Sequence, residues 1–519
     1  MFLHSSALLA IAGFGSYALA VVTMKIGRAP EFYTDSRRLH SRSSLSVTLS
    51  NNLTKGSYFV EIDVGTPPQS QRLVVDTGSS DVWVLAADDD LCTSPILQDQ
   101  YFGGCISTYT SSKSSTFKTV QKNQFNISYQ DGSGAQGDYI ADTFSISGAT
   151  LTDLQMGLAH KSTIGTGIMG IGYSINEASD SRNNVVAPFV YPSVIETMVS
   201  QGVISRKAYS LYLDDLQAST GSIIFGGLDS DKFHGSLLQM PTVLSKLLNG
   251  TQVHAELVVV LTSFAITGQQ GNIVNLTAAS FEEPVLLDSG TTFSYLPDTM
   301  VQSIYESINA IDDSQRTGLV VVDCNILQNS PALTFNYGFG GINGVQIKVP
   351  INELVFDLNG LLNVTESNLP RTPWAETCGF GIYPGDNTSP SVLGDSFLRS
   401  AYVVYDLDSN LIAIAQTNFD STTSSIVEFQ ASATSIPQVS GVASNAEITE
   451  TATAFLPGVG GKPSASGSAT TVVSAGVSAT VSAGKSGSAR TIPAFEASNP
   501  VVLGVTVLLA ALGGGWPLL

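Results

Sequence analysis

One short motif is written twice in this chain. Asp76-Thr77-Gly78-Ser79 follows the apolar run Leu73-Val74-Val75 and leads into Val82-Trp83-Val84. Asp288-Ser289-Gly290-Thr291 follows Val285-Leu286-Leu287 and leads into Phe293-Ser294-Tyr295-Leu296. A lone Asp-Thr-Gly is an ordinary turn composition. Two copies in matched surroundings, 212 positions apart, predict two similar half-domains that each present one carboxylate. Two carboxylates held together can share one proton and activate a water molecule. The repeat continues downstream: Gly167-Ile168-Met169-Gly170 follows the first motif and Ser391-Val392-Leu393-Gly394 the second. In each, a glycine after two apolar residues lets a second strand approach the aspartate loop closely.

The surrounding pattern is β. Tyr58 to Val64 alternates apolar and polar residues until Gly65-Thr66-Pro67-Pro68 breaks it, as a half-buried strand does. Similar runs recur at Phe125–Tyr129, Ser222–Phe225, Val345–Val349 and Tyr402–Tyr405, separated by Gly and Asn/Asp turns. Helical patterns are few, the best being Pro192–Gln201 and Asp298–Ile311. The chain is expected to be mainly β and antiparallel.

A net charge of −20 argues against nucleic acid as a partner, because phosphate binding needs clustered Lys and Arg. The five histidines form no ligand-spaced cluster and no Cys-x-x-Cys occurs, so no metal is expected. The four cysteines, Cys92, Cys105, Cys324 and Cys378, allow three pairings. The local pairs Cys92–Cys105 and Cys324–Cys378 are favoured, since each stays within one half.

Both ends carry an address. Leu8 to Ala20 is apolar and closes on Ala18-Leu19-Ala20, which fits a secretory signal peptide. Secretion gives meaning to the sequons at Asn52, Asn126, Asn249, Asn275, Asn363 and Asn387. After the signal comes a basic stretch with Lys25, Arg28, Arg37-Arg38 and Arg42, read as a pro-segment cut after the paired arginines. From about Asp420 to Asn499 the chain is Ser, Thr, Ala, Gly and Val, too poor in large apolar groups to offset its ordering entropy. Val501 to Leu519 is then apolar with no basic flank behind it. A polar spacer with small residues at Gly487-Ser488-Ala489 before such a tail fits a glycosylphosphatidylinositol signal, with Gly487 as attachment site. The alternative is an ordinary C-terminal membrane helix.

With these residues assembled, the chain resembles the pepsin-like aspartic proteases from about Gly56 to Phe429. The two Asp-[Thr/Ser]-Gly motifs, the two apolar-apolar-Gly motifs and Tyr129-Gln130-Asp131-Gly132-Ser133-Gly134, which looks like the family's flap hairpin, carry the resemblance. The secretory start, the acidic Cys92–Cys105 insertion and the Ser/Thr-rich tail further resemble the yapsin-like, surface-anchored fungal branch. The resemblance implies a bilobed β fold with pseudo-two-fold related lobes and the active site in the cleft between them. It implies Asp76 and Asp288 as catalytic aspartates. Ser79 and Thr291 would bind their outer oxygens, and Gly78 and Gly290 their inner ones. Tyr129 would be the flap tyrosine and Trp83 its brace, with Cys324–Cys378 matching the family's C-terminal-lobe bridge.

The expected organisation is a signal peptide (1–20), pro-segment (21–50), peptidase domain (51–429, lobes about 51–225 and 226–429), stalk (430–499) and anchor-signal tail (500–519). The expected function is a cell-surface aspartic endopeptidase of protein or peptide substrates, a monomer without cofactor, held to the membrane through lipid. Asp88-Asp89-Asp90 reads either as a solvated acidic loop or as a cleft-lining group that favours substrates with Lys or Arg. The competing function is a surface adhesion module with a non-catalytic protease fold.

Overall fold

The computed structural model describes residues 22–28, 57–101, 103–180, 190–218, 220–246, 250–358, 369–385 and 390–442. The signal segment, Arg37-Arg38, Asn52, Asn249, Asn363, Asn387, Gly487 and the apolar tail lie outside them.

In the N-terminal half the strands are β1 (Val22–Arg28), β2 (Tyr58–Val64), β3 (Gln69–Asp76), β4 (Val82–Leu85), β5 (Lys118–Ser128), β6 (Gly134–Ile146), β7 (Ala149–Ser162), β8 (Gly167–Gly170), β9 (Ala208–Tyr212) and β10 (Thr220–Phe225). All belong to one fourteen-stranded sheet, in which β1 sits between β10 and β2. The same sheet takes in strands Phe233–Pro241, Ala401–Asp406 and Leu411–Thr417, so the two halves share a backbone ladder.

The doubled motif becomes doubled geometry. In the first half β3, which ends on Asp76, pairs in parallel with β8, and β8 pairs antiparallel with β4. In the second half, Glu283–Leu287 pairs in parallel with Ser391–Leu393, which in turn pairs antiparallel with Ser294–Leu296. Strands buried on both faces read as continuous apolar runs, and Leu73, Val74, Val75, Val285 and Leu287 are each fully buried. The glycines after the paired runs are required by space. A Cβ on Gly170 would lie 2.6 Å from Ser80 N, and one on Gly394 2.3 Å from the carbonyls of Thr291 and Phe293.

The helices include α1 (Asp90–Thr93), which leads into the Cys92–Cys105 loop, α2 (Pro95–Gln100) inside that loop, α3 (Val194–Ser200) and α4 (Asp298–Ile308). α3 opens with a capping box between Ser193 and Glu196. α4 ends earlier than the apolar pattern suggests, because Asn309 turns left-handed at φ +53 and Ile311 starts a short strand.

Packing also continues past the expected end of the domain at 429. Phe429 and Ile436 are buried, and Val439–Val442 adds to the large sheet in parallel with Phe233–Pro241. Arg206 fastens this stretch: it donates to Asp406 at 3.0 and 2.6 Å and to the carbonyl of Ala433. Among the first residues assigned to the stalk, Ile436 is thus buried against the body and Val439–Val442 is paired to its sheet, an attachment that the composition of the tail hides.

Candidate active site

Each aspartate sits where a buried strand runs into a tight loop, and the loop supplies donors to its own carboxylate. Gly78 N donates to Asp76 Oδ1 at 2.8 Å, and Ser79 Oγ donates to Asp76 Oδ2. Gly290 N donates to Asp288 Oδ1 at 2.8 Å, and Thr291 Oγ1 donates to Asp288 Oδ2 at 2.6 Å. The two loops face each other closely. A Cβ on Gly290 would lie 2.4 Å from Asp76 Oδ1, and one on Gly78 would lie 2.7 Å from Asp288 Cγ.

Burial and proximity dictate the charge state. Asp76 is 5% exposed and Asp288 9%. Burial raises the Asp76 carboxyl well above the usual carboxylate range, and the neighbouring charge and hydrogen bond of Asp288 raise it further. Asp76 is therefore biased toward its protonated form by its burial and by the carboxyl beside it.

The loops are also bolted together by their second residues. Ser289 N donates to Thr77 Oγ1 at 2.9 Å, and Thr77 N donates to Ser289 Oγ at 3.2 Å. Each hydroxyl then donates across the interface, Thr77 Oγ1 to Leu287 O at 2.7 Å and Ser289 Oγ to Val75 O at 2.8 Å. Sequence reasoning passed over both residues, although a hydroxyl between Asp and Gly in each copy was the available signal.

Over the pair lies the β5–β6 hairpin. Tyr129 N donates to Ser133 O at 2.8 Å, and Gly132 makes the turn at φ +84. Trp83, fully buried, donates its indole N–H to the Tyr129 hydroxyl at 2.9 Å. The phenol also lies within reach of Ser79, and it is raised well above its usual range by burial first and by Asp76 second. Trp83 packs on Phe125, Phe125 on Tyr139 and Tyr139 on Tyr191, with centroids 6.2, 5.5 and 5.7 Å apart. Tyr191 OH donates to Asp81 Oδ1 at 2.7 Å, and Ala178 N donates to Asp81 Oδ2 at 2.7 Å. Burial still pushes the Asp81 carboxyl up to about 6. Asp81 is a third residue that sequence reasoning missed, since its partners lie 97 and 110 positions along the chain.

The acidic triplet is divided. Asp89 is fully buried and caps α1 by accepting from Leu91 N at 2.8 Å. Asp90 is partly buried and accepts from Leu91 N and Ser162 N. Asp88 alone is well exposed, with His160 3.2 Å away. The two disulfides form as favoured, Cys92–Cys105 and Cys324–Cys378. Asn126 and Asn275 are exposed. Among the described residues, two groups could approach one ion: Asp89 with Cys92 and Cys105, whose sulfurs are in a disulfide, and Asp214, Asp215 and Asp420 in surface loops. Neither offers an imidazole or a thiolate.

Known proteins resemble this chain in sequence and in fold. Residues 57–417 match the family described as eukaryotic aspartyl protease. A protein of Arthroderma benhamiae named "Probable aspartic-type endopeptidase OPSB" is 40% identical over 81% of this chain and 80% of its own length. "Secreted aspartic protease 8" of Candida albicans is 35% identical over 71% of this chain and 78% of its own. The crystal structure of an aspartic proteinase from Irpex lacteus superposes with a TM-score of 0.55, covering 78% of this chain and 100% of that one at 18% identity. This last likeness concerns the fold alone.

Proposed function

The chain belongs to the eukaryotic aspartyl protease family and is an aspartic-type endopeptidase; from that premise we propose that Asp76 and Asp288 are its catalytic pair. The observation that carries this reading is the reciprocal close approach of each aspartate to the other loop's glycine. Asp76, raised by burial and by its neighbour, is assigned the shared proton in the resting pair. Asp288 then accepts a proton from the reacting water as its oxygen attacks the scissile carbonyl carbon. Asp76 gives its proton to the carbonyl oxygen, leaving a neutral diol. On collapse the proton on Asp288 passes to the leaving nitrogen, and a diol hydroxyl returns one to Asp76. Gly78, Ser79, Gly290 and Thr291 orient the carboxylates, and Tyr129, braced by Trp83, closes the site.

Finer assignments rest on the sequence and on single residues. The −20 net charge and the exposed Asp88 support a preference for Lys or Arg beside the cleaved bond. The apolar segments 8–20 and 501–519 support secretion to the cell surface and a lipid anchor at Gly487 after a Ser/Thr-rich stalk, and the basic residues between Lys25 and Arg42 support a pro-segment. Nothing in an adhesion role would require two complete aspartate loops.

Asp288→Asn protein supplies the test. It should fold with unchanged circular dichroism, lose about 10²–10⁴-fold or more in kcat/KM, and bind a statine-type inhibitor more weakly. Retained proteolysis would refute the pair. Peptides differing only in Lys or Leu beside the scissile bond test the basic preference, and equal kcat/KM would sink it.

A further inference from the structure

The flap hairpin has a second, outward face. Phe125 and Ile127 are buried, so the alternate residues Asn126 and Ser128 point the other way. Asn126 is exposed, and so is Gln136 opposite it on β6. Against this face stands the Cys92–Cys105 loop. Between them is a cavity of about 250 Å³ walled in part by Asp90, Leu97, Tyr101, Asn126, Gln136 and Lys161. Its walls are joined at the end of β7: Ser162 N donates to Asp90 Oδ1 at 3.3 Å, while Gly134 N donates to Thr163 Oγ1 at 2.9 Å. A group filling the cavity would touch both the hairpin and the loop.

Asn126-Ile127-Ser128 is also an acceptor for N-linked carbohydrate. We propose that Asn126 carries a glycan whose innermost N-acetylglucosamine seats in this cavity and ties the flap hairpin to the disulfide loop. Three observations carry it. The acceptor is itself part of the wall, so the first sugar needs no spacer to arrive. The volume is just under the roughly 300–1,000 Å³ of pockets for drug-sized ligands, which suits one sugar ring with its acetamide. The lining pairs an aromatic face and a leucine with a carboxylate, an amide and an ammonium, a match for a ring with apolar C–H edges and polar hydroxyls. By contrast Asn275, the other described acceptor, lies on the exposed strand Ile273–Asn275 and lines no part of this cavity.

The modification itself is a transfer from a lipid-diphosphate-linked oligosaccharide by a host glycosyltransferase. The Asn126 amide nitrogen bonds to the anomeric carbon, the bond from that carbon to the diphosphate oxygen breaks, the amide loses one proton, and the lipid diphosphate leaves.

The seat does not depend on which residues are catalytic, so full-length Asp288→Asn protein from a glycosylating eukaryotic host can be used. Peptide mass spectrometry should find Asn126 occupied. An endoglycosidase that cuts within the two-sugar core should release that glycan at least about tenfold more slowly from folded than from unfolded protein. Tyr101→Ala should keep occupancy and lose the protection. Asn126→Gln should speed hydrogen exchange across residues 130–136. An unmodified Asn126, equal release from both states, or protection that survives Tyr101→Ala would overturn the proposal.

Discussion

Thr77 and Ser289 each accept the other's backbone N–H, at 2.9 and 3.2 Å, while their own hydroxyls donate to carbonyls just before the opposite aspartate. The separation of the two carboxyls is thus set by four hydrogen bonds that are made only when both halves are folded. Removing one hydroxyl leaves two buried backbone groups without a partner. Thr77→Val and Ser289→Ala should each lower stability by about 1–3 kcal/mol, read by urea denaturation. Their double variant should lose less than the sum, because the two share bonds.

Gly290→Ala should act on the carboxyl pair more than on the fold. Its Cβ would press on Asp76 Oδ1 at 2.4 Å, and a displacement near 1 Å in a reacting pair is worth about 10²-fold in rate. The expected outcome is a fall of at least that size in kcat/KM with a small change in Tm. Full activity would mean that the loop relaxes without moving Asp76.

Stability should decline from acid to neutral pH. Asp81 is pushed up to about 6 and Asp89 to about 7, both chiefly by burial. Raised carboxyls keep their proton in the folded protein after the unfolded chain has lost it. Their contribution is complete below the unfolded value of about 4 and is lost as pH rises through about 6 and 7. Thermal unfolding from about pH 4 to 8 checks this. The fall should approach roughly 3 kcal/mol for Asp81 and roughly 4 kcal/mol for Asp89, and Asp89→Asn should flatten it.

Activity should follow a different group over the same range. In the proposed mechanism the pair works with one proton, and burial with the neighbouring Asp288 raises the Asp76 carboxyl well above the usual carboxylate range. kcat/KM should therefore be high in acid and drop once that last proton leaves. A rate that kept climbing above neutral pH would contradict the assignment.

The two disulfides should differ in weight. Cys324–Cys378 closes 54 residues and Cys92–Cys105 closes 13. The chain-entropy relation gives about 4 and about 3 kcal/mol respectively. Paired Ser substitutions, compared by denaturation, should rank in that order. The Cys92/Cys105 variant should also increase hydrogen exchange in the flap, since its loop abuts that hairpin.

What could be read from residues alone followed from repetition and local pattern. The aspartate loops, the closely approaching glycines and the flap tyrosine are all encoded within a few positions of one another. The Thr77–Ser289 bolt was hidden because its partners are 212 residues apart and only folding brings them together. Asp89 misled for a related reason: three consecutive aspartates look solvated, yet the cap of α1 draws the middle one inside. Asp81 and Tyr191 could not be linked by periodicity, as they lie 110 positions apart and only folding joins them. The attachment beyond residue 429 is hard to read from the residues, because a single Ile436, buried among small polar residues, gives almost no pattern.

Strand β1 has a consequence for maturation. It takes six residue pairs from β10 and two from β2, and it comes from the stretch assigned to the pro-segment. A cut after Arg38 would sever the chain without freeing the strand, which would stay threaded as a separate peptide held on both edges. Scission and departure are then two events on two clocks, and the second requires either an incoming replacement strand or an open seam through the middle of the sheet.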